Sequence, residues 1–352
     1  MFCFEKSLLY KNDWNVSIDS KKKELRPFFS QKQVTLLENV AALNRNYKVT
    51  ALIQRGSKSI TLKGLHINFI EGDLLNLESL ISASEGKDII YHCAASTSMF
   101  PPRQEIVNQV NIEGTENVVK ACQVNKVKRL IYVGTANSFS SGTIEQPGTE
   151  KNAYTASHYG LDYMDSKYNA QQYILNQVKT AGLDAVVVNP TFMIGPYDSA
   201  PSSGKMILRL HQKKIPGYAL GGKNFVAVKD VAVAMANAIT MGKTGECYLL
   251  SNENLSYKEA FHKIAQTINA KEPNLKISNF LVKFYGKCCS ILGSLFKLNP
   301  EVSYELAVLS SEHHYYSSEK AVRELEMPQT PIEDAILDCY NWFKENDYLS
   351  KK

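Results

Sequence analysis

From residue 49 to 190 the chain alternates between short apolar runs and stretches with helical periodicity. The runs fall at 49–53, 67–70, 88–95, 129–135 and 184–190, and the helical stretches at 77–85, 105–124 and 163–182. A weaker pair precedes them, a short strand at 33–37 and a short helix at 38–46. Strands of this kind are apolar almost throughout rather than at alternate positions, so both of their faces are buried. With a helix between successive strands, the economical solution is a parallel sheet covered by helices on both sides, an α/β fold. Ligands bind such sheets beyond the carboxyl ends of the strands. Arg55, Asp73, Ser96, Thr135 and Asn189 occupy those ends.

After Pro190 the rhythm changes. Helices are predicted at 202–214, 229–241, 256–269, 279–297, 303–311, 318–326 and 331–346, with one strand at 246–251. Pro331 suits a first helical turn. This half is predicted to form a smaller, mainly α lobe over the carboxyl edge of the sheet. Residues 1–32 carry no periodicity and are read as an extension.

Composition excludes several classes of protein. The 352 residues are 44% hydrophobic, enough for a sizeable core, and the net charge is only +5. The single basic run, Lys21, Lys22 and Lys23, reads as a solvated tail rather than a nucleic-acid surface. Seven scattered cysteines lack metal-ligand spacing, which points to a reduced, cytoplasmic protein. Glu5, Lys6, Lys11 and Asp13 interrupt the N-terminal apolar residues, so no secretory signal is read there. Residues 280–296 are apolar but contain Lys283, Gly286, Lys287 and Gly293. A span needs about 20 predominantly apolar residues, so this stretch is expected to be a buried or surface-docked helix.

Tyr163 and Lys167 form a Tyr-x-x-x-Lys pair one helical turn apart, on one face. A lysine ammonium near a phenol favours the phenolate, and a tyrosine so poised can exchange a proton with a hydroxyl or carbonyl. The spacing recurs at Tyr316/Lys320, Tyr340/Lys344 and Tyr348/Lys352, so context must choose. Only Tyr163 follows a strand ending in Gly134-Thr135, whose hydroxyl suits a place beside it. Asp165 and Ser166 are expected to face away from the site. His92, inside an apolar run, reads as a core histidine, and His313-His314 as no metal site. Phe100, Phe192, Met193 and Tyr197 are read either as an apolar pocket wall or as core.

Six stretches in order carry a resemblance: 88–95 (DIIYHCAA), 110–118 (VNIEGTENV), 129–135 (RLIYVGT), Tyr163-x-x-x-Lys167, 189–196 (NPTFMIGP) and 225–231 (FVAVKDV). From about residue 47 the chain resembles an extended short-chain dehydrogenase/reductase of the NAD-dependent epimerase/dehydratase group. Within it, the dihydroflavonol-reductase-like and 3β-hydroxysteroid-dehydrogenase-like members are most similar. The resemblance implies a Rossmann-type doubly wound sheet at 33–195, joined by parts of 220–250, and a substrate-binding lobe at 196–348. It implies Tyr163 as acid/base, Thr135 holding the substrate oxygen, Lys167 binding the nicotinamide ribose and lowering the Tyr163 pKa, and Asn111 as support. Asp73 and Leu74 would lie along the adenine, Ala94, Ala95 and Ser96 along the middle of the cofactor, and Asn189, Pro190 and Met193 by the nicotinamide. Asp73 and Asn111 also suit plain turn and helix roles.

Gln54-Arg55 stands where NAD binders usually carry an acidic residue, and a guanidinium suits a 2′-phosphate, so NADP is favoured over NAD. One departure is large. The family opens with a Gly-x-x-Gly-x-x-Gly turn that lets backbone approach the pyrophosphate, yet no glycine precedes Gly56. The implied activity is hydride transfer at a secondary alcohol or ketone of a small molecule, with a homodimer possible. The alternatives are a nucleotide-sugar epimerase/dehydratase, against which Asn189 counts because an Arg often stands there, and a relative defective in cofactor binding.

Overall fold

The computed structural model describes residues 49–54 and 68–349. The strand and helix expected at 33–46, the site of the absent glycine turn and Arg55 lie outside the described residues.

In chain order the strands are β1 (Thr50–Ile53), β2 (Asn68–Glu71), β3 (Ile89–His92), β4 (Arg129–Val133), β5 (Ala185–Pro190), β6 (Phe192–Ile194), β7 (Gly217–Tyr218), β8 (Gly222–Ala227), β9 (Cys247–Leu250), β10 (Glu253–Ser256), β11 (Leu275–Lys276) and β12 (His313–His314). β1 and β2 pair in parallel, with Thr50 opposite Asn68. A parallel sheet runs β3-β4-β5-β9, with Ile90 opposite Leu130, Ile131 opposite Val186 and Val188 opposite Tyr248.

Successive side chains of a strand point to opposite faces, and here each face feeds a different core. Leu130, Tyr132, Ala185 and Val187 pack with Val118, Val119 and Cys122 of the Gly114–Val124 helix and with Ala170 and Ile174 of the Asp162–Ala181 helix. Ile131, Val133, Val186 and Val188 pack on the other face with Val231, Ala234 and Met235 of the Val228–Asn237 helix and with Ala321 and Leu325 of the Glu319–Leu325 helix. Every residue of β5 is buried. Burial of this kind is worth roughly 1.5–3 kcal/mol for each Val, Leu or Ile, which is why the central strands tolerate so few polar residues. The fold is therefore the α/β, doubly wound arrangement expected from the alternation.

The half after Pro190 contains more sheet than its sequence pattern indicated. β8 pairs antiparallel with β10 along one edge, while its other edge takes β12 near Gly222 and β6 from Phe225 onward. These strands are not legible in the sequence because Gly222, Asn224, Asn254 and His313 break any apolar run, and β8 is held by neighbours distant in sequence. Behind it, Phe225 and Ala227 pack against Ile207, Leu210, Phe261, Ile264, Ile336 and Phe343 in a third core.

Candidate active site

The site gathers where β3, β4 and β5 end. The Asp162–Ala181 helix starts beside those ends, packs along one face of the sheet and is stopped by Gly182 at φ +67°, a conformation that glycine adopts at little cost. Asp162 and Asp165 in its first turn suit the positive end of the helix dipole. Arg103 reaches both, at 2.7 Å and 2.9 Å, and Asp162 also accepts from the Gln104 backbone N–H at 2.5 Å. This clamp ties the segment after β3 to the start of the helix. Asp165 also takes the Tyr154 hydroxyl at 2.6 Å, so it faces away from the site as expected.

Tyr163 and Thr135 meet. The Thr135 hydroxyl lies near enough to the Tyr163 hydroxyl to favour its phenolate form, and Thr135 Oγ1 accepts from Asn137 N–H at 3.3 Å. A threonine hydroxyl has one proton, so with that acceptor role filled it is free to donate to the phenol oxygen. Burial nevertheless holds the Tyr163 pKa above the ordinary phenol value, outweighing that hydrogen bond. Tyr163 as a whole is half-buried. The net shift is therefore upward, opposite to the expected lowering by Lys167.

Lys167 explains part of this. Its Nζ donates to the Val133 carbonyl at 2.8 Å and lies 4.2 Å above the Tyr132 ring. It is only 3% exposed, and burial drives its pKa down to about 7, partly opposed by the nearby Cys93 thiol. The other Tyr-x-x-x-Lys tyrosines are engaged elsewhere. Tyr316 donates to the Phe139 carbonyl, Tyr340 contacts His211 Nδ1 at 3.3 Å, and Tyr348 donates to the Ser199 carbonyl.

Asn111 sits in a π-turn, Gln109–Glu113, between the helical segments Glu105–Asn108 and Gly114–Val124. Its Oδ1 accepts from Ser96 N–H at 2.7 Å, and its Nδ2 donates to Ser96 O at 3.0 Å and to Ser166 Oγ at 2.9 Å. Ser166 is fully buried and donates to Tyr163 O at 3.2 Å. It was expected to face away. Instead it links the π-turn to the Tyr163 turn, because the residue preceding Lys167 points at the neighbouring helix. Beneath it, Thr115 donates to Asn111 O at 2.7 Å, so His92 Nε2, 2.9 Å from Thr115 Oγ1, is the donor in that contact. Burial lowers the His92 pKa to about 3, which makes it a neutral core histidine.

Asn189 is completely buried, and its Oδ1 accepts from Thr135 N–H at 3.0 Å. Gly134 permits this, since a Cβ there would sit 2.2 Å from Asn189 Oδ1. The side chain of Asn189 thus locks the end of β4 to β5, a role the sequence did not reveal. Pro190 ends β5, and Met193 in β6 packs against the second core. Ala94 and Ala95 are buried just past β3, and Ser96 is half-buried. Asp73 Oδ1 accepts from Leu75 N–H at 2.9 Å, a local turn, while Oδ2 lies 3.4 Å from Gln54 Nε2. The Leu74 side chain is in the core, and its carbonyl accepts from Asn117. Phe192 packs edge-on to Phe225, Tyr197 lies against Trp342, and Phe100 approaches Gly293. These three take separate packing roles.

With this geometry in place, residues 38–251 match the NAD dependent epimerase/dehydratase family. The chain belongs to that family. It is 29% identical over 313 residues to a putative dihydroflavonol 4-reductase of Synechocystis, covering 87% of this chain and 90% of that protein. It is 28% identical over 315 residues to sterol demethylase protein B of Methylococcus capsulatus, covering 88% and 94%. Among solved structures, gox2253 superposes with a TM-score of 0.78 at 29% identity, covering 89% of this chain and 97% of that one. A dTDP-glucose 4,6-dehydratase of Bacillus anthracis, solved in complex with NAD, superposes at 0.69 with 16% identity, a likeness of fold alone. No helix among the described residues is long and apolar enough to cross a membrane.

The donor set fits the nicotinamide-ribose end of a dinucleotide. Lys167 carries three N–H donors, and among the described residues one hydrogen-bond acceptor, Val133 O, meets them. Asn189 Nδ2 is buried without a partner there. A buried lysine amine in such a state is costly, and hydroxyls would satisfy its remaining donors.

Proposed function

We propose that this chain is an NAD(P)-dependent oxidoreductase acting on a secondary alcohol or ketone of a small molecule. The observation that supports it most is the Thr135–Tyr163 hydroxyl contact beside the buried, under-partnered Lys167. Thr135, Tyr163, Lys167 and Asn111 are the proposed catalytic set. Lys167, Asn189, Pro190 and Met193 would hold the nicotinamide end, Ala94, Ala95 and Ser96 the middle, and Asp73, Leu74 and Arg55 the adenosine end. Arg55, following Gln54 at the end of β1, favours NADP. The proposed division is a cofactor domain at 33–195 with parts of 220–250, an extension at 1–32, and a substrate lobe at 196–348. A cytoplasmic homodimer completes the reading. The described cysteines are all free thiols, consistent with a reduced compartment.

When bound, the nicotinamide supplies or accepts the hydride. Thr135 fixes the substrate oxygen, and the raised pKa of Tyr163 keeps its proton in place until negative charge builds on that oxygen. Tyr163 then gives up the proton to that oxygen, toward which Thr135 has turned its own single proton from the phenol. Asn111 and Ser166 hold the Tyr163 turn at a fixed distance from Ser96 while this happens. A second reading, impaired cofactor binding, is favoured by the absence of any glycine before Gly56. The test of the catalytic reading is Tyr163→Phe, assayed on a panel of ketones with NADPH. Turnover should fall by roughly 100-fold or more with circular dichroism unchanged. Near wild-type turnover in that variant would sink the assignment.

A further inference from the structure

The Asn279–Phe296 helix is packed inside out. Its two buried residues are Gly286 and Gly293. A Cβ on Gly286 would come within 2.6 Å of Ala307 Cβ, and one on Gly293 within 2.8 Å of Leu298 O. The glycines let the helix lie flush on the Tyr304–Leu309 helix and the turn beyond Phe296. The large apolar residues point the other way. Phe280 is 75% exposed and Leu295 71%, and Leu281, Phe284 and Ile291 are more than half exposed. At 100° per residue these five lie within about one third of the helix circumference, opposite the glycines, over roughly 22 Å of its length. A helix stabilised by burying an amphipathic face in its own protein would show the reverse.

The charge along this segment of the sequence is one-sided. From 273 to 300 the chain contains Lys276, Lys283, Lys287 and Lys297 and no acidic residue. Lys283 and Lys287 border the apolar face on one flank, where their stems can lie along it with the ammonium groups lifted toward water or phosphate. The helix lacks the composition to span a bilayer, yet it has the features of one that lies in the plane of an interface: an apolar face, a lysine border and no acid. A second copy of the chain is a poorer occupant. Pairing two such faces would bring lysine borders together with no acidic residue on the patch to meet them.

We propose that the Asn279–Phe296 helix docks this protein, side-on, onto an anionic lipid bilayer. Phe280, Phe284, Ile291 and Leu295 enter the acyl boundary, and Lys283 and Lys287 meet the headgroup phosphates. The proposal is independent of the reading of Tyr163. Its test is co-sedimentation of the full chain with phosphatidylcholine vesicles, with and without phosphatidylserine, at low and high salt. Sedimentation velocity without lipid accompanies it. The phosphatidylserine vesicles should carry the protein down, and added salt should release it. Phe284→Ser with Leu295→Ser should weaken partitioning roughly tenfold or more, and Lys283→Gln with Lys287→Gln by about the same factor. Both pairs sit on the outside of the helix, so thermal midpoints should stay unchanged. Equal binding to neutral and anionic vesicles, or binding indifferent to Phe284→Ser with Leu295→Ser, overturns the proposal. So does a dimer that this double change dissociates while vesicles bind neither protein.

Discussion

Replacing Lys167 by methionine should stabilise the ligand-free protein near neutral pH, with a pH dependence that identifies the cause. In the fold, burial lowers this pKa from 10.5 to about 7. The unfolded chain therefore binds a proton that the folded chain lacks between those two values, and stability rises with pH across that window. The cost is fully present below pH 7 and gone above about pH 10.5. At 1.36 kcal/mol per pKa unit, the charge costs the fold about 4 kcal/mol at pH 7 and about 2 kcal/mol at pH 9. Methionine removes that cost, and the lost hydrogen bond to Val133 O takes back about 1 kcal/mol.

The variant should thus be more stable by about 3 kcal/mol at pH 7 and about 1 kcal/mol at pH 9. Urea unfolding of both proteins at several pH values measures this. The Cys93, Cys122 and Cys247 thiols, all pushed up to about 12 by burial, subtract stability above about pH 9. To first order they do so in both proteins and cancel in the difference. Parallel curves, or a variant less stable at pH 7, would refute the view that Lys167 is a strained, under-partnered cation.

Two further predictions concern residues outside the described structure. Arg55→Ala should weaken NADPH far more than NADH, by roughly 10- to 100-fold for a charge-assisted phosphate contact, as read by titration calorimetry; equal losses would show that Arg55 does not read the 2′-phosphate. The chain as written should bind NADPH more weakly than micromolar by nicotinamide fluorescence, because its sequence carries Leu36, Leu37 and Glu38 and no glycine in the stretch where the family carries its glycine turn; a Thr-Gly-Ala-x-Gly-x-x-Gly segment inserted between Val34 and Asn39 should restore binding, and no gain would place the defect elsewhere.

The parts of the fold legible in the sequence are those set by local pattern. β4 and β5 announce themselves because burial on both faces demands unbroken apolar runs, and the helix carrying Tyr163 because it ends in a left-handed glycine. The β8 sheet was hidden, since its polar strands are held by partners from 192 to 314 that no local window contains. Within the site the same division holds. Thr135 and Tyr163 were legible as a strand end followed by a helix turn. Ser166, the Asn189 clamp and the Arg103 bridge to Asp162 and Asp165 were not, because each depends on which of several plausible neighbours a side chain meets in space. Lys167 lay between these cases, with its identity readable but its ammonium turned toward Val133 O and Tyr132.

That turn toward the strand bears on how the two ends of the site relate. A buried ammonium with one hydrogen-bond acceptor, and a buried Asn189 amide with an unmet donor, are both burdens on the folded chain. A group offering hydroxyls at that end would relieve the first, so part of the intrinsic binding energy there would offset strain already present and appear as protein stabilisation. The opposite end offers no such reserve. Pyrophosphate is usually held by backbone N–H groups at a helix start, which only glycine-scale clearance allows it to approach. In this chain the sequence has no glycine before Gly56 and carries Glu38 in that stretch. A fragment carrying only the nicotinamide and its ribose should therefore raise the thermal midpoint of wild type but not of Lys167→Met. Full NADPH should then add little beyond that fragment until the glycine turn is restored.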